Sequence, residues 1–127
     1  MNLFCKNLNK DELSKRISES KRIISKFPDR IPVIILTNNS KLQKMLTKNK
    51  FLVPYDLTVS YLLANIRNQM KLDSSNALFI FCDNTMLSGT EELSKIYGNY
   101  KSRNNIGSSS DNFLYISIEE ENTFGKF

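Results

Sequence analysis

The sequence predicts an α+β domain: a pair of strands, a long helix, a strand, a short helix and a last strand, preceded by a helical N-terminal extension. Three observations carry that expectation. Apolar residues recur at helical spacing through the first thirty positions; short β-branched or aromatic runs are bounded by Pro, Asn or Asp; and two amphipathic segments separate the later runs.

In the first segment Leu13, Ile17, Ile24 and Phe27 fall at helical intervals, Asp11 is placed to cap the start, and Pro28 ends the run. Pro32-Val33-Ile34-Ile35-Leu36-Thr37 reads as a buried strand, and Lys50-Phe51-Leu52-Val53 reads as a second strand joined to it as a hairpin. Pro54 marks this second strand as an edge or a strand end, because proline cannot donate to a ladder. Thr58 is the expected cap of the clearest helix, in which Val59, Leu62, Leu63, Ile66 and Met70 share one face. Ala77-Leu78-Phe79-Ile80-Phe81-Cys82 is the most apolar run and is expected to be the central strand, covered on both faces. Ser88 and Glu91 form a capping-box pattern before a short helix carrying Leu93, Ile96, Tyr97 and Tyr100. Lys101 to Asn112, with Ile106 as its one apolar residue, is expected to be a solvated, disordered loop. Phe113 to Ile118 reads as the last strand, and Glu119 to Phe127 as a tail with too little apolar content to pack. The order β-β-α-β-α-β is that of a β-grasp, or ubiquitin-like, fold. The expected organisation is an extension over 1–27, a core over 28–118 and a flexible tail over 119–127.

At 127 residues, with 40% apolar and 24% charged residues, the chain has the length and composition of one globular domain. With no His, it can form neither a Ser-His-Asp triad, nor a Cys-His dyad, nor an imidazole metal site. Cys5 and Cys82 are too few for a zinc site and are expected to be reduced cytosolic thiols, since the opening residues carry no secretory signal pattern. No apolar run approaches the roughly 20 residues of a membrane span. The formal net charge of +5 is unevenly spread, with an excess of Lys and Arg before Leu72 and of Asp and Glu after it. Such a basic half favours acidic partners. Lys41, Lys44, Lys48 and Lys50 lack interleaved stacking aromatics, so no nucleic-acid partner is expected.

Several blocks then become informative together: Lys26-Phe27-Pro28-Asp29-Arg30-Ile31-Pro32-Val33-Ile34, Lys50 to Val59, Ala77 to Phe81, Phe113-Leu114-Tyr115, and Glu121-Asn122-Thr123-Phe124-Gly125. In their order and spacing the chain resembles the autophagy-related ubiquitin-like modifiers of the GABARAP and microtubule-associated light-chain type, from about Leu13 to Gly125. The resemblance implies two N-terminal helices ahead of the ubiquitin-like core. It also implies that a partner cysteine protease removes Lys126-Phe127 after Gly125, with Phe124 beside the cut. Activating and conjugating enzymes then carry Gly125 to the amine of phosphatidylethanolamine. A glycine suits that chemistry because the acyl carbon must thread a narrow channel. The protein would act as substrate and tag, with no catalytic residues, no metal and no cofactor beyond the covalent lipid. It would be a monomer in the cytoplasm until the lipid holds it on an autophagosomal or other vesicle membrane.

The resemblance further implies a docking face on the second strand for receptors bearing an aromatic-x-x-aliphatic motif, bound by strand addition. The aromatic would enter among Glu19, Ile23, Pro32, Lys48, Leu52 and Phe113, and the aliphatic beside Phe51, Val53, Pro54, Leu57 and Leu62. Lys48 and Lys50 would meet an acidic flank, with Arg30 and Arg67 near the same surface. The chain departs from the family at Arg67-Asn68-Gln69, where relatives carry more basic residues, and at Asn65, usually apolar. It departs also at Leu87-Ser88, often Pro-Pro, and in the longer segment after Lys101. Two other classes compete: a cytosolic adaptor that binds such peptides and keeps Lys126-Phe127, and a small hydrolase using Cys5 or Cys82, which has no base to activate it.

Overall fold

The computed structural model describes residues 10–72, 76–103 and 111–120. In chain order the elements are α1 (Lys10–Lys26), β1 (Arg30–Leu36), α2 (Ser40–Met45), β2 (Lys50–Pro54), α3 (Val59–Met70), β3 (Leu78–Cys82), β4 (Thr85–Met86), α4 (Leu93–Arg103) and β5 (Leu114–Glu120). The strands form one five-stranded sheet in the order β2-β1-β5-β3-β4. β1 and β5 run parallel at its centre, with Val33 opposite Leu114 and Ile35 opposite Ile116, and the other pairs are antiparallel. This is the mixed sheet of the expected β-grasp.

Burial follows that topology. Ile31 to Ile35 of β1 and Leu114 to Ile116 of β5 are all buried, because helices cover both faces of the central pair. α1 lies on the face that carries Tyr115, held there by a hydrogen bond from Arg16. α3 and α4 supply Val59, Leu62, Ile66, Leu93, Ile96 and Tyr100 to the core beneath the opposite face. Each such aliphatic side chain, removed from water, contributes about 1.5–3 kcal/mol. The two covering helices start side by side: Val59 N–H donates to the Glu91 carbonyl, Ser60 N–H to the Gly89 carbonyl, and Leu93 N–H to the Leu57 carbonyl.

Several expectations require correction. β3 is not central: it lies second from the edge and alternates buried and half-buried residues, whereas β5 occupies the middle. Overall apolarity misled here: Phe79 and Phe81, opposite Glu119 and Ser117 on the sheet face that carries Tyr115, are only half-buried. The β1–β2 connection is no plain hairpin, because α2 interrupts it. Asn39 caps α2 by accepting from Leu42 N–H at 3.2 Å, and Leu42 is fully buried. Asp11 lies inside the first turn of α1 rather than at its cap, where a carboxylate still complements the helix dipole. Thr58 occupies the cap position of α3 without a side-chain bond to it. Ser88 N–H donates to the Glu91 carboxylate at 2.6 Å, but this closes a turn ahead of α4, which begins only at Leu93.

The segment expected as a loop from Lys101 to Asn112 is ordered at both ends. α4 continues to Arg103, anchored by an Arg103–Asp83 ion pair of 3.2 Å, and Asp111 is fully buried. Positions 104–110 lie outside the described residues. Glu119 and Glu120, expected in the tail, extend β5 and pair with Phe79 and Leu78. The first expected N-terminal helix and the tail from Glu121 also lie outside the described residues.

Candidate functional site

The docking face expected on β2 is at an edge of the sheet, since among the described residues β2 pairs only with β1. Along it the side chains alternate: Lys50, Leu52 and Pro54 take the α1 face, and Phe51 and Val53 the opposite one. The register sets Leu52 beside Pro32 and Phe51 beside Val33. The two proposed pockets therefore sit on opposite faces of one edge strand.

On the α1 face, Glu19 and Ile23 are half-buried, Leu52 is half-buried, and Pro32 and Phe113 lie beneath in the core. The Lys50 ammonium bridges both Glu19 carboxylate oxygens at 3.0 Å and stands 5.9 Å from the centre of the Phe113 ring. It thus closes the space between α1 and the start of β5. Lys48 does not join this group, for its ammonium lies 5.7 Å from the Phe51 ring, on the other face. There Phe51 and Leu57 are half-buried, as is Pro54 on the α1 face at the strand's end, whereas Val53 and Leu62 are only 2% and 0% exposed and belong to the core. Arg30 is exposed at the start of β1, opposite Pro54, and Arg67 is half-buried on α3. Gly125 and Phe124 fall outside the described residues.

A buried polar network, unforeseen from the sequence, holds this face in place. Asp111 accepts from Phe113 N–H at 3.1 Å and from the Tyr115 hydroxyl at 2.5 Å. Arg16 of α1 donates to the Tyr115 oxygen at 2.9 Å and stacks over its ring. Asn112 N–H donates to the Ser20 hydroxyl at 3.0 Å, and the Tyr97 hydroxyl donates to the Asn112 carbonyl at 2.5 Å. α1 is thereby pinned to the entry of β5 and to α4. Burial raises the Asp111 carboxyl above the usual carboxylate range, against the opposing effect of its hydrogen bonds and of Arg16. Desolvation likewise raises Tyr115, and pushes Tyr97 up to about 12. The signal available in the sequence was the Asp-x-Phe spacing, in which a carboxylate turns back onto an amide two residues ahead.

The Cys82 thiol is 2% exposed and burial pushes its pKa up to about 12, so it is poorly suited to nucleophilic attack. Among the described residues no helix is long and apolar enough to cross a membrane. On the sheet face beyond α1 a separate concavity of about 370 Å³ opens between Leu36, Phe81, Ser117 and Glu119, none of them among the expected site residues.

Residues 15–125 match the family described as "Autophagy protein Atg8 ubiquitin like". The chain is similar to Autophagy-related protein 8h of Arabidopsis thaliana, at 41% identity covering 91% of this chain and 93% of the relative. It is also similar to Autophagy-related protein 8 of Schizosaccharomyces pombe, at 42% identity with 91% and 92% covered. The crystal structure of Trypanosoma brucei ATG8 superposes with a TM-score of 0.75 at 29% identity, covering 98% of this chain and 99% of that one. Sequence, sheet order and the family match agree, and the chain belongs to the Atg8 family of autophagy-related ubiquitin-like modifiers.

Proposed function

We propose that this modifier is cut after Gly125 and joined through that residue to phosphatidylethanolamine. One observation carries the reading: the family match runs to residue 125, ends on the Gly of Asn122-Thr123-Phe124-Gly125, and leaves Lys126-Phe127 beyond it. Hydrolysis of the Gly125–Lys126 peptide bond frees a glycyl carboxylate. Adenylation and transfer to an enzyme cysteine give a thioester, and the lipid amine displaces the thiolate to form an amide. A glycine acyl group has no Cβ to obstruct that passage. The two acyl chains of the lipid supply the two-signal anchoring that stable membrane residence requires. In this scheme the protein is a substrate and a tag, moving from cytoplasm to the autophagosomal membrane.

On the membrane, the β2 edge receives extended peptides with an aromatic-x-x-aliphatic motif. The position of β2 at the edge of the described sheet supports strand addition, and the opposite-facing Leu52 and Phe51 separate the two anchor residues. Entry of the aromatic parts Lys50 from Glu19 and Phe113, freeing Lys50 for an acidic flank on the incoming peptide. Intact mass spectrometry of the protein from its own cells tests the conjugation. A membrane-bound form ending at Gly125 and carrying a phospholipid is expected, and Gly125→Ala abolishes it. Molecules that all retain Lys126-Phe127 in the soluble fraction would favour the adaptor instead.

A further inference from the structure

β5 ends in two consecutive glutamates whose side chains leave on opposite faces. Glu119 turns toward Phe81 and Ser117, while Glu120 turns toward α2. The Glu120 side chain is only 11% exposed, and the Lys41 ammonium contacts both of its oxygens, at 3.1 and 3.3 Å. The support behind Lys41 is stiff for so short a helix. Leu42 is fully buried, Asn39 caps the helix, the Asn39 N–H donates to Thr37 Oγ1 at 3.1 Å, and the Gln43 amide donates to the Thr37 carbonyl at 2.7 Å. Because β1 and β5 run parallel, the loop at the end of β1 that carries these groups lies at the end where β5 finishes. α2 therefore reaches the last described residue of the strand by an ion pair across the end of the sheet.

We infer that Lys41 is a positioning residue for processing and activation of the tail: by holding Glu120, it fixes the direction in which the chain leaves the sheet toward Gly125. This rests on the proposed cleavage after Gly125. Gly125 lies five residues beyond Glu120, a reach of about 17 Å when extended. An enzyme that grips both the domain and an extended tail meets Gly125 in register only if the exit direction is set. A lysine replaced by a carboxylate at position 41 repels Glu120 and frees the strand end at its root.

The test measures kcat/KM for release of Lys126-Phe127 from the full-length chain by a processing cysteine protease of the family. Lys41→Glu, Glu120→Lys and the double variant K41E/E120K are compared with wild type, and thermal midpoints are recorded for each. Each single substitution is expected to lower kcat/KM about two- to fivefold, the range open to one partly exposed ion pair, with thermal midpoints unchanged. The double substitution restores the pair in reverse and is expected to recover the rate to within about 1.5-fold. Raising the salt concentration to about 1 M should bring wild type toward the K41E value. Singles equal to wild type, or a double variant as slow as the singles, would overturn the inference, the latter by showing that the protease reads the charges themselves. A wild-type chain left uncut after Gly125 would instead sink the modifier reading, and this inference with it.

Discussion

The Tyr115 hydroxyl donates to the Asp111 carboxylate at 2.5 Å within a site where Asp111 is fully buried, and Arg16 of α1 reaches the same hydroxyl. One carboxylate thus organises the entry of the central strand and the helix that flanks the proposed docking face. Asp111→Ala leaves the Tyr115 hydroxyl and the Phe113 amide without their acceptor, at a cost of about 1–3 kcal/mol for each group. Urea unfolding should show that loss. Binding of an aromatic-x-x-aliphatic peptide should weaken as well, because Phe113 and α1 lose their common anchor.

The same residue gives a pH signature. Burial holds the folded-state pKa of Asp111 above its ordinary value of 3.8, so the folded protein binds that proton more tightly than the unfolded chain does. Its contribution is therefore fully favourable below about 3.8 and is lost as pH rises through the folded-state pKa. Thermal midpoints of wild type and Asp111→Asn, followed from neutral pH downward, should change in wild type's favour on acidification. A constant difference across that range would contradict the burial argument.

At the proposed docking face, exposure separates residues that hold the fold from those placed to meet a peptide. Leu62→Ala opens a core cavity and should cost about 2–5 kcal/mol. Leu52→Ala, at a half-buried edge position, should lower peptide affinity about tenfold while leaving most of the stability intact. Calorimetric titration of one peptide against both variants, alongside their melting curves, measures the split. Equal losses of stability would place Leu52 in the core with Leu62.

The Cys82 thiol, buried and raised to about 12, should resist iodoacetamide at pH 8 in the folded protein and react once the chain is unfolded in urea. Peptide mass spectrometry reads both states. Rapid labelling of folded Cys82 would mean that the end of α4, whose Arg103 donates to the Cys82 sulfur at 3.9 Å, lifts away readily.

Gly89 offers a steric test of the junction between α3 and α4. A Cβ there would come 2.4 Å from Ser60 Oγ, which donates to the Gly89 carbonyl at 2.9 Å. Gly89→Ala should cost about 0.5–1 kcal/mol by turning that hydroxyl away, and the loss should vanish in a Ser60→Ala background.

The sequence made the repeating features legible and left the singular ones hidden. The helix from Val59 to Met70 and the buried face Leu93, Ile96, Tyr97 and Tyr100 follow from periodicity alone, while Pro54, which cannot donate to a ladder, marks its strand as an edge or a strand end. α2 was hidden because Ser40 to Met45 carries one buried apolar residue, Leu42, too few for a period. Asp111 was hidden because a charged residue in a polar stretch signals solvent unless its partners are known, and those partners, Arg16 and Tyr115, come from other elements. At the proposed docking face the family blocks name the residues without their placement, and only register and burial show that Lys48 stacks on Phe51 while Lys50 crosses to Glu19.

The parallel pairing of β1 with β5 also governs how the protein is made. β5 is the last described strand in chain order and the middle strand of the sheet, so no contiguous sheet exists until it has been synthesised. A nascent chain that has emerged only as far as Arg103 can form two separate antiparallel pairs, β1–β2 and β3–β4, one leaving the bare edge of β1 and the other that of β3. Both edges are rich in Val, Ile and Phe, the composition that invites pairing with other chains. Domain closure is therefore a late event on the ribosome, and until then the cell must keep two sticky half-sheets apart.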